Sequence, residues 1–536
     1  MENITFVLVE WREFKRAEVY SLGLNYIQAA LEQENIDVHT LISNAESSKD
    51  LIKRILLLKP QVVALKFYTE TASQVFEIAR ELKKADKDIL IAVGGHTATL
   101  YRSAILLQEK AIDIVCNGEG EYTYIDLCRR IQNKEDLYGC HGITFRDGKL
   151  IFSNPQREQV NLEESSFPDY KIFEQYKSDK TNIVEMAISS TRGCNGNCYF
   201  CVVNRVYQAN GRKHWRGMSA KKIVQEIVDA CSYYNSKKVI IKFLDSSIED
   251  PNPVRKDRLI EMLELLEKEN LNISFSFFTR AETWSEDDIP MIRQLKNVGL
   301  YKVYMGFDES IHPYSIHEFT DKMIVPKNRR ANQLFTDEGI VTTGYLLMFQ
   351  PFVTLKQLKN VAEFIDEVGM SPYPDVWTQR VILYPDTKLY YLVVEAGLLL
   401  GLSEDGYSYH YAYEDGRIEK LQNFVCRIQK YENYNLLRTA MMKNDNLIEQ
   451  YSLLNNRDNT EEIMETYQKA VKEIYEDLGR NQKMFFLEAI EEVQNDNEPD
   501  ELMQQWNELL IKKQKELEDI WFRTRFALAR KGLVIR

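Results

Sequence analysis

The stretch Ser190-Thr191-Arg192-Gly193-Cys194-Asn195-Gly196-Asn197-Cys198-Tyr199-Phe200-Cys201 constrains this chain more than any other. Three cysteines stand at C-x3-C-x2-C spacing, reached from an apolar, strand-like run (Val184 to Ile188) through an Arg-Gly turn. Thiolates are soft ligands that suit iron–sulfur clusters and zinc. A structural zinc site is the plainer alternative, but such sites usually close with four ligands in paired C-x2-C halves, and no second pair occurs here. Three thiolates without a fourth Cys or a nearby His leave one metal corner of a cubane unfilled. An open corner is where a substrate or cofactor can bind, and the rest of the chain must supply the context that gives so short a motif its meaning.

The chain has 536 residues, more than one core supports, so two or three domains are predicted. A net charge of −13 argues against a nucleic-acid partner, because phosphate binding relies on clustered Lys and Arg. No apolar run approaches the length of a membrane span, and the N-terminus enters a strand-like ITFVLV without a signal-peptide pattern. The expectation is a cytoplasmic monomer with no membrane partner. Cys116, Cys128, Cys140, Cys231 and Cys426 are scattered at no ligand-like spacing, so one cluster is expected and these five are expected to be reduced and mostly buried.

Residues 1–150 alternate short β-rich runs with helices. Ile4 to Val9, Ile36 to Ile42, Val62 to Leu65, Ile89 to Val93 and Ile112 to Val115 read as strands. Leu24, Ile27 and Leu31 mark one helix face, and Val75, Ile78, Ala79 and Leu82 another at i, i+3, i+4, i+7. That alternation predicts an α/β doubly wound parallel sheet, whose ligands bind outside the carboxyl ends of the strands. The candidate contacts there are Glu10, Thr69, Thr71, the turn Gly94-Gly95-His96-Thr97 and the turn Gly118-Glu119-Gly120. G-x-G-x-x-G is absent, which disfavours a nicotinamide site.

Residues 151–183, polar with Pro155 and Pro168, read as a linker. From Val184 the alternation restarts, with strand signals at 184–189, 239–244, 273–278, 302–306, 342–349 and 377–383. Six β units to about residue 400 suit a partial barrel of parallel strands with chemistry at the strand ends, and the cysteine loop follows the first. Residues 401–536 read as mostly helical, with stripes Ile463, Tyr467, Val471, Ile474, Leu478 and Leu509, Leu517, Ile520, Phe526. The period-two aromatics Tyr407, Tyr409, Tyr411 and Tyr413 fit a pocket lining or an ordinary packing edge.

Two resemblances join these parts. The order GLNYIQAAL, GGHTATL, DIV-x-NGEGE and then FPDY (Phe167 to Tyr170) resembles the cobalamin-binding domain that precedes the catalytic domain in one class of radical SAM enzymes. Cys194, Cys198 and Cys201, with aromatic Phe200 before the last, match the radical SAM motif. Trp215 to Ser219 resembles that family's basic entry to the next helix. Phe243 to Ser247, Thr279 to Glu282, Tyr304 to Ser310 and Tyr384 to Tyr390 resemble its later strand ends, whereas Met348 to Pro351 lacks the usual fifth-strand glycines.

The resemblance implies a Rossmann-like cobalamin-binding domain, a radical SAM partial (β/α)6 barrel and a helical C-terminal domain. It implies a [4Fe–4S] cluster on Cys194, Cys198 and Cys201, with S-adenosyl-L-methionine (SAM) on the open iron. It further implies SAM contacts from Phe200, Asp245 or Ser246, Arg280, and Glu309 or Ser310. The strand-end residues 10, 69, 71, 94–97 and 118–120 would then contact cobalamin. His39 follows the start of a D-x-H-x-x-G pattern, but position 42 is Ile and the segment reads as the second strand, so a histidine ligand to cobalt is not expected.

The function implied is methylation of an unactivated carbon, or phosphorus, of a small natural-product intermediate or peptide, through methylcobalamin and a 5′-deoxyadenosyl radical. A flavodoxin or ferredoxin would supply electrons. Cyclisation, rearrangement or oxidation with the same cofactors is the alternative. An RNA methylthiotransferase lacks support, since that class needs three further N-terminal cysteines for a second cluster. A non-catalytic carrier is disfavoured by the intact trio.

Overall fold

The structure is a computed structural model and describes residues 4–12, 21–43, 46–178, 182–196, 198–207, 215–235, 237–248, 255–307, 321–403, 406–454, 459–497 and 499–534. The first unit runs β1 (Thr5–Glu10), α1 (Leu22–Gln33), β2 (Asp37–Ile42), α2 (Ser48–Leu57), β3 (Val62–Lys66), α3 (Ala72–Ala85), β4 (Leu90–Gly94), α4 (His96–Tyr101), α5 (Ser103–Gln108), β5 (Ile114–Cys116), α6 (Glu121–Asn133), β6 (Ile143–Asp147) and β7 (Leu150–Ser153). Its seven strands lie in the order β2-β1-β3-β4-β5-β6-β7. The first five are parallel, and β6 and β7 are antiparallel.

Helices cover both faces of this sheet, so its strands are continuous apolar runs instead of alternating ones. In β1, Val7 and Val9 join one core while Phe6 and Leu8 join the other. Val75, Ile78, Ala79 and Leu82 of α3 are all buried at the predicted helical spacing. His39 lies on β2, half exposed and 3.4 Å from Asp37.

The second sheet has the order β15-β14-β13-β12-β9-β8, from β8 (Lys177–Ser178), β9 (Ile183–Ile188), β12 (Lys238–Phe243), β13 (Ile273–Arg280), β14 (Leu300–Gly306) and β15 (Val341–Tyr345). All are parallel except β8. Between them lie β10 (Thr191–Gly193), α7 (Val203–Tyr207), β11 (Trp215–Gly217), α8 (Ala220–Tyr234), α9 (Asp257–Glu269), α10 (Ile289–Asn297) and α11 (Asp321–Asp337). After β15, the predicted sixth strand is reduced to a parallel bridge between Phe349 and Arg380, because Pro374–Trp377 coils into a 3-10 turn.

The remaining elements are α12 (Leu355–Glu367), α13 (Lys388–Glu395), β16 (Leu399–Leu402), β17 (Tyr409–Tyr411), α14 (Gly416–Arg427), α15 (Glu432–Ser452), α16 (Glu461–Gln494) and α17 (Asp500–Arg530). Glu449 of α15 reaches the second sheet and bonds Lys302 at 2.8 Å and the Tyr301 hydroxyl at 3.1 Å.

Three boundaries differ from the sequence reading. The segment 151–183 is not a bare linker: β7 belongs to the first sheet and β8 to the second. Between them Val160, Leu162 and Phe173 are buried, since apolar side chains in a connection find cores on either side. The helical C-terminal region is preceded by the hairpin β16–β17, which straddles residue 401. Beside that hairpin Tyr407 inserts into the first unit, where its ring meets Phe67 at 5.3 Å and Tyr101 at 4.9 Å, and its hydroxyl donates to Gln108 at 2.7 Å. On α17, Leu517 is buried but Phe526 is exposed beneath the Arg530 guanidinium, at 5.0 Å.

Candidate functional site

The cysteine loop grows from a stem that two neighbours fix. β10 pairs antiparallel with β11, setting Arg192 opposite Arg216. Below it, the buried Asp245 accepts the Ser190 hydroxyl at 2.6 Å and the Thr191 amide at 2.7 Å. Asp245 is therefore engaged with the stem, and of the expected pair it is Ser246 that lines the cavity described below. An acid ending β12 meets the stem because β9 and β12 are neighbours in register.

Burial pushes the Asp245 carboxyl up to about 6, against the Ser190 and Thr191 hydrogen bonds. The ordinary value is 3.8, so between the two the folded chain holds a proton that the unfolded chain has released. The resulting stability is complete below about pH 4 and lost as pH rises through about 6, on the order of 3 kcal/mol for a shift of about two units. Asp245→Asn keeps an acceptor for Thr191 and a donor for the rotatable Ser190 hydroxyl. It is expected to flatten that part of the stability-versus-pH curve, measured as the thermal midpoint from pH 4 to 8. A curve as steep as wild type would contradict the assignment.

Above the stem, Cys194, Cys198 and Cys201 are partly accessible and in no disulfide. The Gly196 amide donates to Cys194 Sγ at 3.3 Å, a bond that favours the thiolate. A Cβ on Gly196 would lie 3.3 Å from Cys194 Sγ and 3.5 Å from Arg280 Nη1, so Arg280 stands beside the loop as expected. It also pairs with Glu282 at 3.3 Å. Among the described residues no three His, Cys, Asp or Glu side chains converge on a single metal ion. Partly accessible thiols, an amide aimed at sulfur and a glycine close against Cys194 fit a [4Fe–4S] group. Phe200 and Tyr199 pack in the apolar cluster of Val381, Leu383 and Leu389, and the Leu389 amide donates to the Tyr199 carbonyl at 2.9 Å.

A cavity of about 370 Å³ lies between the stem of this loop and the first unit. Gly94, Gly95, His96, Gly118, Glu119 and Gly120 line it from the strand ends, and Arg192, Gly193, Leu244 and Ser246 from the cysteine side. Gly95 has φ +113°, and a Cβ there would sit 3.3 Å from the Phe67 carbonyl, so this turn needs glycine. His96 is exposed toward the cavity. Desolvation by the walls around it and then the Lys66 charge hold its imidazole below the ordinary value, which favours the neutral form. Burial works against the charge on Lys66, but Tyr68 and Glu10 outweigh it. Burial also pushes the Cys116 thiol, in the same wall, up to about 12.

The acidic turn has a role that the sequence reading missed. Glu119 bonds Arg216 and stands 3.5 Å from Arg192, while Glu121 bonds Arg192 directly. Glu119 also accepts the Val160 amide at 2.6 Å. All four charged side chains are nearly buried, 12% exposed or less. Glu119 thus clamps the cysteine stem to the first unit, because burying two arginines requires carboxylates opposite them. Burial opposes ionisation of Glu121, but the Arg192 charge and hydrogen bond, with Arg216, outweigh it and hold the carboxyl below the usual range.

Other expected contacts separate. Glu10 is buried and pairs with Arg12 at 3.0 Å and Lys66 at 3.3 Å, outside the cavity wall. Thr97 is buried in α4, and the Thr71 hydroxyl caps the turn at Tyr68. Thr69 lines a different cavity. Glu309 and Ser310 lie outside the described residues. Lys66, Tyr26 and Tyr68 line the first cavity without having been singled out. A charged residue ending an apolar strand was the available signal for Lys66.

Residues 16–127 match the family described as B12 binding domain, and residues 188–365 the Radical SAM superfamily. The chain is 26% identical over 390 residues to an uncharacterized methyltransferase of Pyrococcus horikoshii, covering 71% of this chain and 80% of that protein. It is 25% identical over 316 residues to the anaerobic magnesium-protoporphyrin IX monomethyl ester cyclase of Rubrivivax gelatinosus, covering 57% of this chain and 54% of the cyclase. The cobalamin-dependent S-adenosylmethionine radical enzyme OxsB, solved with aqua-cobalamin and S-adenosylmethionine, superposes with a TM-score of 0.71 at 17% identity. That match covers 100% of this chain and 82% of OxsB, and it shows a shared fold. No described helix is long and apolar enough to cross a membrane.

Proposed function

We propose that this chain, a radical SAM enzyme with an N-terminal B12 binding domain, methylates an unactivated carbon or phosphorus of a small organic molecule or peptide. One observation carries the reading: the glycine-rich strand ends of the first unit and the stem of the cysteine loop are opposite walls of one cavity. When bound, the cluster and SAM supply radical chemistry and cobalamin supplies a methyl carrier. The chain's own residues do the rest. Cys194, Cys198 and Cys201 would each hold one iron, and the Gly196 amide would ease the charge on the first sulfur. Arg280 presents a cation beside the loop for a carboxylate, and the Ser246 hydroxyl faces the cavity. Neutral His96 offers a hydrogen bond without adding charge beside Lys66. Gly94, Gly95, Gly118 and Gly120 admit the face of a large ligand. A flavodoxin or ferredoxin is the electron source that this chemistry calls for.

The test is anaerobic reconstitution with dithionite and trideuteromethyl-labelled SAM, assaying 5′-deoxyadenosine, S-adenosylhomocysteine and label in small-molecule extracts. Both nucleoside products and a labelled methyl in a new compound are expected. The cyclase relative keeps one second reading in play, ring closure without methyl transfer. Release of 5′-deoxyadenosine with no S-adenosylhomocysteine and no transferred label would favour that reading and overturn the first.

A further inference from the structure

A second cavity, of about 720 Å³, adjoins the first: Tyr68 lines one and Thr69 the other. Its walls come from both units, the start of α3 on one side and the segment Thr378–Tyr384 on the other. Arg380 lines it and is exposed, and among the described residues its side chain forms no ion pair or hydrogen bond. An acid of the same wall, Asp375, is already taken by Arg438 at 2.8 Å and by the Tyr434 hydroxyl. Glu70, across the cavity on the other unit, makes no ion pair with Arg380. The guanidinium therefore has no ion-pair partner among the described residues, and the Glu70 carboxylate is the other charge without an ion pair that lines the space.

A second polar group points the same way. The Thr69 hydroxyl has no hydrogen-bond partner and is covered within the cavity wall, so a ligand would meet it once the side chain turns. Such a group costs stability unless a ligand or water completes it. Val381 and Leu383, beside Arg380, belong to the apolar cluster that contains Tyr199 and Phe200 of the cysteine loop. The wall beside Arg380 is thus packed directly against the cluster-binding loop.

We propose that this second cavity anchors the organic substrate through an oxyanion, a carboxylate or a phosphate, held by the fork of Arg380 with the Thr69 hydroxyl. A guanidinium binds either group through two parallel N–H···O bonds, which gives orientation as well as affinity. Calling the anchored molecule the substrate rests on the methyl-transfer reading, but the anion site itself does not.

The experiment is calorimetric titration of the full-length chain with inorganic phosphate and with succinate, at ionic strength held constant with chloride. Saturable binding of at least one probe is expected, and the tighter of the two identifies phosphate or carboxylate as the group recognised. Arg380→Gln is expected to weaken that binding about tenfold or more, the effect of losing a charge-assisted pair. Arg380→Lys keeps the charge without the fork and should fall between. Thr69→Val should give a smaller loss, and it serves as an independent variant should an Arg380 variant fold poorly. No saturable binding of either probe, or wild-type binding by Arg380→Gln, overturns the proposal. Failure of the labelled-methyl experiment would leave this result standing, so the two readings fail separately.

Discussion

Cys198→Ala is expected to lose the cluster and all radical chemistry. After anaerobic reconstitution, iron should fall from about four per chain to background, with the broad cluster absorbance and 5′-deoxyadenosine release lost together. Cys198 is the middle member of the trio, and two remaining thiolates leave two irons of a cubane without a protein ligand. Cys426→Ala is the control. That thiol lies on α14, accepts from the Gln422 amide at 2.9 Å and is outside the loop, so its loss should leave iron content unchanged. Hydroxocobalamin binding should also survive Cys198→Ala, because the first cavity is lined by Arg192 and Gly193 of the stem and not by Cys198. Iron retained at wild-type levels in Cys198→Ala would remove the trio as the cluster site.

The parts of this site that were readable in the sequence are those set by local pattern. The cysteine spacing, the strand before it and the glycines after β4 and β5 each follow from a few contiguous residues, and the structure sets those glycines and the stem of the cysteine loop around one cavity. What escaped depends on how two units dock. Glu119 and Asp245 both sit at strand ends, where a carboxylate reads as a ligand contact. Their actual partners, Arg216 and the Ser190–Thr191 turn, are 97 and about 55 residues away, and no local periodicity encodes that pairing. The same reason hid Tyr407. Alternating aromatics predict an edge, but only the folded chain shows that one of them crosses into the first unit. The sixth strand was overestimated because Trp377, Val381 and Leu383 are buried as strand residues would be, while Pro374 sets the local backbone into a 3-10 turn.

The clamp between the units makes the second large prediction. Glu121→Ala leaves the Arg192 guanidinium, itself only 12% exposed, without its direct partner. Removing one member of a buried pair typically costs 3–5 kcal/mol, because the other charge stays desolvated. Glu119 remains 3.5 Å from Arg192 and takes up part of the deficit, which sets the expectation near the lower end, about 3 kcal/mol. Since the pair ties one wall of the first cavity to the other, the loss should appear twice. The thermal midpoint of the apo protein should fall, and hydroxocobalamin, titrated by its visible spectrum, should bind about tenfold or more weaker.

The pH dependence has a definite sign. The Glu121 carboxyl is held below its ordinary value of 4.5 in the folded chain, so its contribution is complete above that value and lost as pH falls through the lower, folded one. This is opposite to Asp245, and the two are separable by where the stability curve bends. The exchange of charges in Glu121→Arg with Arg192→Glu should recover part of both losses, which a purely steric effect of the single substitution would not allow. An unchanged midpoint and unchanged hydroxocobalamin affinity in Glu121→Ala would mean that the units are held together elsewhere, with the buried Tyr407 as the next contact to test.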